Sequence, residues 1–150
     1  PIWRAVQRLA APGESVGKFD VAARGGAFVA LYEAGEQIFT RVLFGRDRTL
    51  SQARRLTADD LVQRSPVLVS SGDSVYLAYV APATPMMLVG ALRLFRSSDG
   101  LDWQRLPGLN LRDKIPFRVR VAISGRRLLA LIAAEVDKLM LCSFPLQDGP

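Results

Sequence analysis

The sequence contains no histidine and a single cysteine, Cys142. The first absence removes the commonest general base and the commonest metal ligand. The second excludes an internal disulfide and any zinc site built on several cysteines. No metal site and no cofactor is therefore expected. Lysine is scarce too: Lys18, Lys114 and Lys138 are the only three, so the net charge of +6 rests on arginine. No run of about eighteen apolar residues occurs, so no helical membrane span is expected. Sustained 3.6-residue periodicity is missing as well. Thr57–Arg64, with Thr57 and Asp60 as a short cap, is the one stretch that suits a helical turn. There is no phosphate loop, dinucleotide-binding glycine fingerprint, serine elbow or metal-binding helix motif. The chain begins at Pro1 rather than Met and shows no signal peptide, as expected of a processed or excerpted segment.

What is present is apolar and alternating. With 49% apolar residues in 150, one globular domain with an ordinary core is expected. Three segments read alike as hairpins: Phe19–Leu31 across Gly25-Gly26, Val67–Tyr79 across Gly72-Asp73, and Val119–Leu131 across Ser124-Gly125. Ala30, Ala78 and Ala130 recur about every 50 residues, a spacing that falls in the range of β-propeller blades. Further strands follow each hairpin: Gln37–Phe44 and Leu50–Leu56 in the first unit, Leu88–Arg96 and Trp103–Leu106 in the second, and Lys138–Phe144 in the third. Cys142, inside that last run, reads as a small buried hydrophobe.

Leu92–Leu106 breaks at Ser98-Asp99-Gly100 and resumes at Trp103. An aspartate at such a turn accepts backbone N–H groups just ahead of it, and a glycine takes a positive φ without steric cost. Ser97, Asp99, Gly100 and Trp103 resemble the Asp-box (BNR repeat) of sialidase-type β-propellers, with Asp99 and Gly100 adjacent where the family pattern has one residue between them. That resemblance implies an all-β fold of propeller-type blades, with the Asp-box as a structural element between the third and fourth strands of a blade. The chain then divides into an N-terminal strand at 2–9, a blade at 19–56, a second at 66–106 and a partial blade at 118–144, within one domain spanning 1–150. The 2–9 strand, carrying Trp3, is expected to complete the partial blade, in cis or in trans. Three blades are fewer than the roughly four to eight of a closed propeller. Self-assembly into a ring, or docking in a larger complex, is accordingly expected.

Propeller loops that share the ligand-binding face are here entered by Lys18, Arg64, Arg118 and Arg120. Guanidinium groups converging there would grip a carboxylate or phosphate. Sialidases use an arginine triad in this way for the sialic-acid carboxylate. The competing reading is that these cations are solvated or pair with Asp20, Asp59, Asp60 and Asp113. Hydrolysis in that family also needs a tyrosine–glutamate pair, and the adjacent Tyr32-Glu33 would point to opposite faces of a strand. The apolar loop containing Pro85, Met86 and Met87, together with Trp3, is a candidate partner contact. The expected function is a non-catalytic interaction or scaffold module, partnered by itself or by another protein. The alternative is a sialidase-like half-propeller that binds or hydrolyses acidic glycans. Nucleic acid is not expected as a partner, because the arginines are scattered and no nucleic-acid motif accompanies them. The compartment stays open, with an extracytoplasmic or secreted setting favoured by the usual location of Asp-box proteins.

Overall fold

The computed structural model describes residues 8–35, 37–45, 49–56, 64–82, 90–111, 116–134 and 138–146, with only the backbone at 64, 82 and 117. These residues form β-strands and turns, with no helix among them. The first sheet is β1 (Val16–Arg24), β2 (Ala27–Ala34), β3 (Gln37–Phe44) and the two-residue β4 (Arg54–Arg55), in that spatial order. The second is β5 (Arg64–Ser71), β6 (Ser74–Pro82), β7 (Gly90–Ser97) and β8 (Gln104–Leu111). The third has three strands, β9 (Pro116–Ser124), β10 (Arg127–Ala134) and β11 (Lys138–Pro145), with β10 central. All pairings are antiparallel.

Each sheet opens with a two-residue hairpin, because Arg24 pairs with Ala27, Ser71 with Ser74 and Ser124 with Arg127. Gly25, Gly72 and Gly125 stand first in these turns with φ of 52°, 54° and 55°. That is the conformation that tight hairpins require and other residues resist.

The sheets stack in chain order, the second between the other two. Alternation along β6 shows this directly: Val75, Leu77, Tyr79 and Ala81 belong to the core shared with the first sheet, whereas Tyr76, Ala78 and Val80 belong to the core shared with the third. The first core is completed by Val29, Leu31, Ile38 and Val42, and the second by Leu92, Leu94, Leu128, Ala130 and Ile132. The innermost strands β1, β5 and β9 lie side by side, β5 in the middle. The three sheets do not close on one another.

Several expectations are corrected. The strand predicted at Leu50–Leu56 is reduced to a bridge between Leu43 and Leu50 and to Arg54–Arg55. Between them Ser51 Oγ accepts the Val42 N–H, and Arg41 Nε donates to the Ser51 carbonyl, so side chains replace part of the ladder. The strand predicted at Trp103–Leu106 instead runs as β8 to Leu111. Pro107 is tolerated there because β8 is an edge strand and its register shifts between Leu92 and Leu94. The alanine repeat slips by one: Ala30 and Ala130 are both the fourth residue of their strand, where the second sheet has Leu77. A one-residue offset in a strand reverses the face, and Ala78 points the other way. Cys142 is partly buried against the second core rather than fully enclosed. Of the N-terminal strand expected at 2–9, residues 2–7 lie outside the described residues and Arg8 and Leu9 are in no strand; of the helical turn expected at Thr57–Arg64, residues 57–63 lie outside them and Arg64 opens β5. No helix among the described residues is long and apolar enough to cross a membrane.

Leu77, fully buried in the middle sheet, tests this stack. Leu77→Ala is expected to lower the unfolding free energy by about 3 kcal/mol, read by urea denaturation.

Candidate functional site

Two constellations stand out, one at the junction of the first two sheets and one along the innermost strands.

At the junction, the turn between β7 and β8 is closed by two side chains. The Ser97 hydroxyl donates to Asp99 Oδ1 over 2.9 Å and accepts the N–H groups of Asp99 at 3.2 Å and Gly100 at 2.7 Å. Asp99 Oδ1 in turn accepts the N–H groups of Leu101 at 2.8 Å and Asp102 at 2.9 Å. Gly100 has φ 81°, and a Cβ there would lie 2.5 Å from Val29 Cγ2 and 2.9 Å from Val42 Cγ2. The turn is thus seated on the first sheet, with no room for a side chain at its tip. Trp103 follows, packing on the same core and donating its indole N–H to Thr40 Oγ1 at 3.2 Å. Thr40 is completely buried on β3, so the indole satisfies a hydroxyl that has no access to water. The Arg54–Asp102 ion pair at the rim, 3.9 Å long and exposed on both sides, adds little.

Burial alone would raise the Asp99 carboxyl pKa. The N–H groups of Asp102 and Leu101 and the Ser97 hydroxyl outweigh it and hold the group below the usual carboxylate value. This makes the turn a device that works with Asp99 ionised.

The second constellation is a cleft of about 560 Å³ across the innermost strands, lined by Lys18 and Asp20 of β1, Ser65 of β5, and Arg118 and Arg120 of β9. Phe19, Pro66, Val67, Leu68 and Val121 supply its apolar wall. Three of the four predicted cations therefore meet in one place. The fourth, Arg64, opens β5 next to Ser65, and its side chain is outside the described residues. Lys18 Nζ donates to Ser65 Oγ at 3.0 Å. Ser65 is buried and holds a φ of 53°, the one positive value outside glycine among the described residues. Asp20 forms no salt bridge with Lys18, Arg118 or Arg120. Its two oxygens accept the backbone N–H of Leu68 at 2.8 Å and of Val21 at 2.9 Å. Arg120 donates to its neighbour's carbonyl, Val119 O, at 3.2 Å.

Tyr32 and Glu33 sit on opposite faces of β2, as strand alternation requires. Tyr32 stacks on Phe39 with ring centroids 5.5 Å apart. Burial, then the Glu14 charge, raise its phenol pKa, against the opposing effect of Arg41. A nucleophile–base pair is not formed by these two residues. Burial likewise pushes the Cys142 thiol up, away from the reactive thiolate. Trp3, Pro85, Met86, Met87, Asp59, Asp60 and Asp113 lie outside the described residues. Among the described residues no group of three or more acidic or cysteine side chains is placed to hold a metal ion. Thr40 and Ser65 were not singled out from the sequence, since nothing local distinguishes them from surface hydroxyls.

No protein-family model matches this chain, and no curated protein matches it either.

Two outcomes test the junction. Gly100→Ala is expected to cost about 3 kcal/mol, from the left-handed backbone and from the contacts with Val29 and Val42, read by chemical denaturation. Because the Asp99 pKa is lowered in the folded state, its contribution is complete above the ordinary aspartate value of about 4 and is lost as pH falls through the folded value. Stability measured from pH 6 down to about 2 should therefore decline, and the decline should be shallower in Asp99→Asn.

Proposed function

We propose that this chain is a non-catalytic interaction module, three propeller-type sheets whose two open end faces seat on further sheets in a ring or a larger assembly. The observation that carries the reading is the state of those two faces. On the outer side of the first sheet Phe19 is 77% and Val21 59% exposed, and on the outer side of the third Leu139 is 70% and Leu141 71% exposed. Contiguous apolar surface of this kind on a sheet face marks a place where something else packs. The Asp-box resemblance supports the same reading, since the Ser97–Trp103 turn joins consecutive sheets as a blade-to-blade contact. The reading includes a fourth strand for the third sheet, supplied by residues 2–9 in trans. Arg41 Nη1 donates to the Leu9 carbonyl at 2.7 Å on the outer side of the first sheet, with the second sheet standing between that point and β11.

The basic cleft favours a second reading, a sialidase-like half-propeller that grips an acidic sugar through Lys18, Arg64, Arg118 and Arg120. Tyr32 and Glu33 on opposite faces argue for binding rather than hydrolysis within that reading.

Solution mass by light scattering, set against the 16.4 kDa chain, separates these possibilities. The module reading expects a mass of twice the chain or more, or a monomer that binds an apolar dye strongly. A well-folded, protease-resistant monomer that binds no dye overturns it. The second reading expects binding of sialosides that Arg118→Ala weakens by roughly 10- to 100-fold, as loss of a charged hydrogen bond does. An affinity unchanged by Arg118→Ala and Arg120→Ala removes that reading.

A further inference from the structure

Resting on the module reading, we infer that the occupant of each open face is a second copy of this chain. The third sheet of one copy packs on the first sheet of the other, at both ends, to close a ring of two copies. The argument comes from positions that the three two-residue hairpin turns make equivalent. Each sheet has a leading side, turned toward the next sheet in the chain, and a trailing side, turned toward the one before. Phe28, Val75 and Leu128 are each the second residue after their turn, and all three point to the trailing side. Val75 and Leu128 are buried to within 1%, because a preceding sheet covers them, while Phe28 is 48% exposed. Further along the same face of β2, Ala30 and Tyr32 are already buried within the chain, so the open part of this trailing face is the one that carries Phe19, Val21 and Phe28.

The leading side tells the same story at the other end. Leu31, Ala78 and Leu131 are each the fifth residue of their strand; the first two are wholly buried and Leu131 is 43% exposed. Their third-strand partners are Thr40, Leu94 and Leu141, of which only Leu141 is exposed. One row further along, Ile38, Leu92 and Leu139 repeat the pattern.

The two exposed faces are therefore not two unrelated patches. One is a trailing face and the other a leading face, the two halves of the contact that the molecule already makes twice internally. A second copy carries both halves, so each open face of one copy meets its complement on the other. Such a head-to-tail contact either closes or grows into a filament. Two copies give six sheets, inside the range of about four to eight in which sheets close around an axis.

The test is complementation between two variants that leave the internal cores intact. Leu139→Arg with Leu141→Arg blocks the leading face, and Val21→Arg with Phe28→Arg blocks the trailing face; all four side chains are exposed, and folding is checked by circular dichroism and thermal melting. The wild-type chain is expected at twice the monomer mass and each double variant at the monomer mass. An equimolar mixture of the two variants should recover a dimer, because one blocked leading face and one blocked trailing face leave a single intact contact. A wild-type dimer whose variants still dimerise alone, or fail to dimerise when mixed, overturns this pairing while leaving the module reading in place. Filaments that lengthen with concentration overturn closure at two copies. A wild-type monomer that binds apolar dye overturns the pairing alone, and one that binds none overturns the module reading with it.

Discussion

Everything in this fold depends on β6 having no polar face. From Val75 to Ala81 every side chain is buried, odd positions against the first sheet and even positions against the third. A strand that alternates apolar with polar can lie at a surface; one that is apolar on both sides needs a packed layer on each side of it. The second sheet therefore cannot be terminal, and the order of the stack follows from that. The first and third sheets also carry large apolar residues on their outer faces, Phe19, Val21 and Phe28 on one and Leu131, Leu139 and Leu141 on the other, where an ordinary sandwich has mainly polar ones.

Stacking alone leaves the distance and tilt between sheets poorly specified, because apolar contact is non-directional. The Ser97–Trp103 turn supplies direction. Its internal hydrogen bonds set the shape of the loop, and the lack of a side chain at Gly100 lets the tip sit directly against Val29 and Val42. The Trp103–Thr40 bond then ties the loop to a strand of the neighbouring sheet. Local turn chemistry is thereby converted into a tertiary constraint, at the cost of placing an ionised carboxylate where burial opposes it.

The hairpins were legible because a glycine leading a two-residue turn between alternating runs has few other meanings, and all three lie where Gly25, Gly72 and Gly125 put them. Facing was not legible. In a strand apolar on both sides, such as Val75–Ala81, small residues do not reveal which side is which, so Ala78 was aligned with Ala30 and Ala130 although it points the other way. Pro107 read as the end of a strand because an edge bulge is decided by the partner's register. The convergence of Lys18, Arg118 and Arg120 could be read from their places near the starts of equivalent strands. Ser65 and Thr40 could not, since what makes them unusual is a partner about 47 to 63 residues away.

The basic character of the cleft has a structural origin in the way adjacent innermost strands meet. β1 and β5 lie side by side without forming a ladder, so N–H groups on the open edge of β5 need acceptors from elsewhere. Asp20 meets that need at Leu68, with its second oxygen occupied by the Val21 N–H. Asp20 pairs with none of Lys18, Arg118 and Arg120, and these three cations line the cleft beside that single carboxylate, so the charge of the described lining stays positive. Arg118 and Arg120 also alternate with Val119 and Val121, which puts them on the side of β9 that faces away from the second core. The cleft and the open leading face of the third sheet thus share a strand. Arg118 and Arg120 lie opposite Ala133 and Leu131, whose partners on the other side are Leu139 and Leu141, so the two guanidinium groups stand on the same face as the exposed leucines.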